Sequence, residues 1–233
     1  KELTARFEKI FDLNPEDSFL GSFPLSKTKA PNTRGTGIDL YSKVAPAVVK
    51  ILTNDGIGSG VLVNSEGLII TNYHVIKGYR RLGINFWPYY SQLKSRGADI
   101  NPHLSFFARP IAVDEIADLA LLKLEKTISQ LVVAELAGEN GQKARFYVKP
   151  GEEVYAIGHP MNLDWSISKG NVSAVRGGFE WAEDISGKRR HVADVIQMDA
   201  LINKGNSGGV LINKHGKVVG ISSFEHSNAE GIN

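Results

Sequence analysis

Three short stretches of the chain carry side chains that could do chemistry together. Thr71-Asn72-Tyr73-His74-Val75 puts an imidazole at a polar corner behind an apolar run. Ile116-Ala117-Asp118-Leu119-Ala120 sets a carboxylate directly ahead of another apolar run, where burial without a partner is costly. Asn203-Lys204-Gly205-Asn206-Ser207-Gly208-Gly209 surrounds one serine with three glycines, which permit backbone geometry that bulkier residues resist and let a substrate come close. Taken singly, each has an ordinary reading: a hydrogen-bonded rim histidine, a strand-entry cap, a glycine-rich turn. Together they make a relay. A serine hydroxyl is a weak nucleophile near neutral pH until an imidazole takes its proton, and that imidazole needs an anion to fix its tautomer. His74, Asp118 and Ser207 supply one of each, in that chain order.

Other chemistries fit less well. Neither the glycines around Ser207 nor Gly56-Ile57-Gly58-Ser59-Gly60 is followed by the Lys-Ser or Lys-Thr of a phosphate loop. The absence of cysteine excludes a disulfide scaffold, a Cys-ligated zinc and a thiol nucleophile, and the six histidines show no paired metal spacing. No metal and no cofactor is expected. The 27 Lys and Arg against 25 Asp and Glu leave a net charge of +2, which argues against a nucleic-acid partner. No apolar run approaches the roughly 18 residues of a membrane span. Lys188-Arg189-Arg190-His191 and Tyr79-Arg80-Arg81 read as solvated hairpin tips.

The elements that must position the relay are mostly strands. Leu3, Phe7, Ile10 and Phe11 predict a short amphipathic N-terminal helix, and residues 13–37 an extended loop. Leu40 and Val44 suggest a helical turn broken near Pro46. Short β-branched runs then predict strands at 48–52, 60–63, 68–71, 82–87, 107–113 and 119–124, and again at 153–157, 166–175, 192–198, 209–212 and 218–223. Asn64-Ser65-Glu66-Gly67 and Asn213-Lys214-His215-Gly216 read as hairpin turns. The polar stretch at 138–150 divides the strands into two sets of about six. The expected fold is all-β, two β-barrels in tandem: an N-terminal segment 1–37, a first barrel 38–137 with His74 and Asp118, and a second barrel 138–233 with Ser207. Trp87-Pro88-Tyr89-Tyr90 through Leu104 reads as an insertion.

These motifs resemble the chymotrypsin-like serine proteases, and within them the HtrA (Deg) branch. Gly58-Ser59-Gly60-Val61-Leu62-Val63, the Thr71–Val75 stretch and Asp118-Leu119-Ala120-Leu121-Leu122-Lys123 are similar to that branch's first barrel. Ala156-Ile157-Gly158-His159-Pro160, residues 168–174 and residues 199–209 are similar to its second. The similarity runs in order over about residues 38–233.

The resemblance implies two six-stranded barrels and a serine endopeptidase acting through an acyl-enzyme, with Ser207 as nucleophile, His74 as general base and acid, and Asp118 orienting His74. It implies an oxyanion hole from the amides of Gly205, Asn206 and Ser207. Counting from Ser207, it assigns Leu201 to the floor of the specificity pocket with Ile202 beside it, and Ile221, Ser222 and Ser223 to a wall. An apolar pocket with no acidic group facing a basic substrate residue implies cleavage after small or medium aliphatic residues. It further implies peptide or unfolded-protein substrates, HtrA-like protein processing or quality control, control by loop rearrangement, a periplasmic or secreted address, compatibility with a homo-oligomer, and one more strand of the second barrel after Asn233. A different class stays open beside it: a peptide-binding or chaperone-like module that keeps the barrels but turns over little substrate.

Overall fold

Thr36 and Asp39 open the first described element. In the computed structural model, which describes residues 36–87, 106–126, 131–138, 144–160, 163–182, 190–202 and 205–223, their side chains cap each other's backbone N–H groups. The expected helix at Leu3–Phe11 and the tyrosines 89 and 90 lie outside these residues. The cap opens α1 (Gly37–Val44), which buries Leu40 and Val44. Pro46 then falls in a single 3-10 turn, Ala45–Ala47, and the chain extends into the first strand.

The first strand set closes on itself. Strands β1 (Val48–Leu52), β2 (Ile57–Leu62), β3 (Leu68–Thr71), β4 (Leu82–Phe86), β5 (Phe106–Asp114) and β6 (Leu119–Leu124) form a barrel in the order β1-β2-β3-β6-β5-β4. Pairing of Val49 with Phe86 and Ile51 with Ile84 completes the circuit, so no edge is left open. Val49, Ile51, Leu62, Ile69, Ile84 and Leu122 fill the interior with no exposed surface.

The second set comprises β7 (Glu153–Gly158), β8 (Ser166–Ala182), β9 (Arg190–Met198), β10 (Val210–Asn213) and β11 (Val218–Ile221). Their order is β11-β10-β7-β8-β9. Where six strands were expected, the described residues supply five, so this barrel is nearly closed rather than closed. Its two end strands curl toward each other, with Ile196 of β9 lying over Gly220 of β11. β8 also runs past its predicted end at 175. Bulges at Val172/Ala174 and Arg176/Phe179 bend it, and each extra residue breaks the period-two signal by which a strand is read.

Both predicted hairpin turns form, and they share one design. The Asn64 carboxamide oxygen accepts from the N–H groups of Glu66 and Leu68, and that of Asn213 from His215 and Lys217.

Two apolar clusters bridge the sheets, a small one of Leu119 with Ala193 and Trp181 and a larger one. The larger combines Val48, Val61 and Ile70 of the first with Ile157, Val210 and Ile212 of the second and with Trp165, which leads into β8. Trp165 is 2% exposed, and its indole N–H donates to the Val48 carbonyl at 2.8 Å. Trp87, the first residue of the expected insertion, packs edge-on against both Trp165 and Tyr41.

Of the two basic segments, the described arginines Arg80, Arg81 and Arg190 are exposed as expected, and His191 is the exception. His191 is buried, stacked near Trp181, and hydrogen-bonds the Glu115 carbonyl through Nδ1 at 2.8 Å. Arg81 lies over the Phe107 ring and pairs with Glu125.

Candidate active site

Strand β3 ends at Thr71, and Asn72 turns the chain into a one-turn helix, α2 (Tyr73–Ile76), which carries His74. The Asn72 amide and the Tyr73 N–H both donate to the Asp118 carbonyl, at 2.9 and 3.2 Å. These bonds dock the helix on the turn that precedes β6. Asp118 there adopts φ +55, a left-handed conformation that aspartate tolerates better than most residues.

The Asp118 carboxylate is 1% exposed as a residue and fully engaged. Oδ1 accepts the His74 backbone N–H at 2.9 Å. Oδ2 accepts from His74 Nδ1 at 2.8 Å and from the Ser223 hydroxyl at 2.7 Å. Donation from Nδ1 fixes the imidazole tautomer that leaves Nε2 as a base, on a side chain one-third exposed.

Ser207 sits on a turn pressed against the first barrel. Its carbonyl accepts the Ser59 N–H at 2.8 Å, and Gly209 N–H donates to the Asn206 carbonyl at 2.7 Å. Gly208 has φ +82, and a Cβ there would lie 2.0 Å from the Ser59 carbonyl oxygen. Only glycine meets both demands. Among the described residues, the Ser207 hydroxyl donates to the Ser223 carbonyl at 3.2 Å rather than to His74. The structure thus links His74 to Asp118 directly, and reaches Ser207 through Ser223. Ser223 is expected as part of a pocket wall, and nothing in its sequence neighbourhood marks this bridging role.

Beside these residues lies a cavity of about 390 Å³, between the two ends of the second sheet. Ile202, Ile221, Ser222 and Ser223 line it, together with Met198 and Leu211. Leu201 does not. It is 68% exposed, because inward and outward residues alternate here: Ala200 and Ile202 point in, and Leu201 points out. Assigning Leu201 to the pocket floor is therefore corrected.

Asp194 also borders the cavity, but its side chain has no exposed surface. Its carboxylate is already taken, by Arg145 in a two-pronged pair at 2.7 and 2.8 Å and by the Gly178 N–H at 2.8 Å. The Arg145 guanidinium holds Asp194 below the ordinary carboxylate range against the opposing pull of burial. Among the described residues, no cluster of three His, Asp or Glu could hold a metal.

The profile described as a trypsin-like peptidase domain matches residues 58–221, from β2 to the end of β11. The chain belongs to the trypsin-like peptidase family. Within that family it resembles HtrA-type proteases. Serine protease HTRA1 of Xenopus laevis is 38% identical over 199 residues, covering 80% of this chain and 38% of that protein. The magnetosome formation protease MamE of Paramagnetospirillum magneticum is 36% identical over 169 residues, covering 72% of this chain and 20% of the relative. Among solved structures, the HtrA-type protease AlgW, bearing a serine-to-alanine change and a tripeptide, aligns with a TM-score of 0.64 at 27% identity, covering 85% of this chain and 58% of that one. The serine endoprotease of Yersinia pestis aligns with a TM-score of 0.60 at 28% identity, covering 88% and 62%. This trypsin-like peptidase chain spans 38% of the length of its HTRA1 relative. No helix among its described residues is long and apolar enough to cross a membrane.

Proposed function

We propose that this domain is a serine endopeptidase in which Ser207, His74 and Asp118 act as the triad. The observation that carries the reading is the double clasp of Asp118 on His74, through Nδ1 and through the backbone N–H. A carboxylate bonded in this way presents Nε2 as a base and stabilises the imidazolium formed when it takes a proton. The Ser207 hydroxyl rotates from the Ser223 carbonyl to Nε2, loses its proton there and attacks the peptide carbonyl. His74 then returns the proton to the departing amine, leaving an acyl-enzyme that water hydrolyses by the same steps in reverse order.

The amides of Gly205, Asn206 and Ser207 receive the oxyanion; loss of one such donor typically costs about 2.7–4 kcal/mol of transition-state stabilisation. The apolar lining from Ile202 and Ile221, and the engagement of Asp194 by Arg145, support cleavage after small or medium aliphatic residues. Resemblance to HtrA-type proteases supports peptide or unfolded-protein substrates in a periplasmic or secreted setting, as part of protein processing.

A fluorophosphonate, which reacts with activated serines, tests this directly. Labelling of Ser207, abolished in Ser207→Ala and strongly slowed in His74→Ala, is the expected result. The second reading, a peptide-binding module with little turnover, is favoured by one observation: the hydroxyl of Ser207 rests on Ser223. A folded protein that binds peptide yet resists labelling, with peptide present or absent, would establish that reading and overturn the first.

A further inference from the structure

Behind the Ser207 turn, between the two sheets, lies a buried polar cluster that the proposed chemistry does not use. Ser59 of β2 and His159, which follows β7, have no exposed surface. The Ser59 hydroxyl has three neighbours: the Gly205 carbonyl at 2.8 Å, His159 Nδ1 at 3.0 Å and the His159 backbone N–H at 3.1 Å. Through its backbone N–H the same serine also holds the Ser207 carbonyl. One residue of the first barrel therefore pins both ends of the Gly205–Ser207 arc in the second.

The hydroxyl has one proton to give, and the neighbours decide where it goes. The Gly205 carbonyl can only accept, the His159 N–H can only donate, and Nδ1 can do either. If Nδ1 carries a proton, it donates to Ser59 and the hydroxyl proton goes to Gly205. If Nε2 carries it instead, Ser59 must serve Nδ1 and the Gly205 carbonyl loses its partner. Nε2 is buried with no hydrogen-bond partner among the described residues. A bare acceptor in that position costs less than a stranded N–H, so the Nδ1–H form wins. Burial holds the ring neutral, with its pKa lowered to about 3; of the nearby charges, Asp164 opposes the shift and Lys50 adds to it. The Trp165 ring closes the other side, its centroid 4.6 Å away.

A planar trans peptide turns its C=O and the next N–H in opposite directions. Holding the Gly205 carbonyl inward therefore sets the Asn206 amide outward, and limits the flips open to Gly205, whose φ of +99 leaves the backbone freer than any side chain would. We infer that Ser59 and His159 form a positioning pair for the oxyanion loop, in which the Nδ1–H tautomer of His159 commits the Ser59 hydroxyl to the Gly205 carbonyl. This rests on reading Ser207 as the nucleophile, since it gives the loop its catalytic meaning.

Two measurements test it. Nitrogen-15 spectra of the wild-type imidazoles read the His159 tautomer without any need for activity. A protonated Nδ1 and bare Nε2 support the pair, and the reverse overturns it. In Ser59→Ala, kcat and the rate of fluorophosphonate labelling should fall roughly ten- to a hundredfold while KM stays level. A peptide boronate, whose adduct places an oxygen against the loop amides, should weaken by a similar factor. A purely structural serine would lower the melting temperature and leave kcat per folded molecule unchanged, and that result overturns the proposal. Wild-type protein that is never labelled would instead defeat the peptidase reading, while the tautomer still decides whether the pair exists.

Discussion

Ser207 and Asp118 are joined through a single residue. The Ser223 carbonyl accepts the Ser207 hydroxyl at 3.2 Å, and the Ser223 hydroxyl donates to Asp118 Oδ2 at 2.7 Å. Ser223, two residues past β11, thus braces the carboxylate and holds the Ser207 hydroxyl. Ser223→Ala removes one of three bonds to a buried anion and keeps the carbonyl. A bond to a charged group is worth about 1.5–3 kcal/mol, so kcat should drop roughly tenfold or more at an unchanged KM. Steady-state kinetics on a peptide substrate would show it, and an unaltered kcat would remove Ser223 from the machinery.

Gly208→Ala should abolish labelling of Ser207 and lower stability by several kcal/mol, since a Cβ at φ +82 would stand 2.0 Å from the Ser59 carbonyl oxygen and 2.3 Å from Thr71 Oγ1. Both neighbours are buried, leaving the turn itself to move. Urea melts alongside fluorophosphonate labelling would separate the two losses.

His159 should make stability fall with acid. Its ring is held at a pKa of about 3 against an ordinary 6.5, mainly by burial. Between those values the unfolded chain carries a proton that the native ring does not, so stability declines as pH drops from 6.5 toward 3. One such group contributes up to about 1.4 kcal/mol per pH unit. Urea melts at about pH 7 and about pH 5 should show a shallower decline in His159→Gln than in wild type.

Arg145 is the main partner of Asp194, whose side chain has no exposed surface. Arg145→Ala would strand that carboxylate with the Gly178 N–H, at a cost of about 2 kcal/mol once the half-exposed position of the arginine is allowed for. Because the pair depresses the Asp194 pKa, its stabilisation is full above the ordinary carboxylate pKa and fades as pH falls through the native value. The deficit of the variant should therefore shrink in acid. In the peptidase assay, an Asp194 released toward the cavity should also raise cleavage after Lys and Arg relative to aliphatic residues.

The strand pattern was legible because most strands obey a simple rule. Leu68–Thr71 and Leu119–Leu124 appear at their expected limits, bounded by turn residues and filled with apolar ones. β8 did not, since its bulges shift the alternation. At the site, His74 and Asp118 announced themselves by placing polar groups beside apolar strands. Leu201 was misassigned because counting back from Ser207 ignores which way the backbone faces at each step. The Ser59–His159 contact was invisible for another reason: it joins groups 100 residues apart, and nothing local marks either one.

Trp165 has a consequence for how such a molecule could be switched. Its indole is bonded to the Val48 carbonyl and buried in the shared apolar cluster, so the two sheets cannot part like jaws without exposing that interior to water. Melting should accordingly destroy both halves in one transition. Any switch in the molecule therefore has to leave the joint between the two sheets closed.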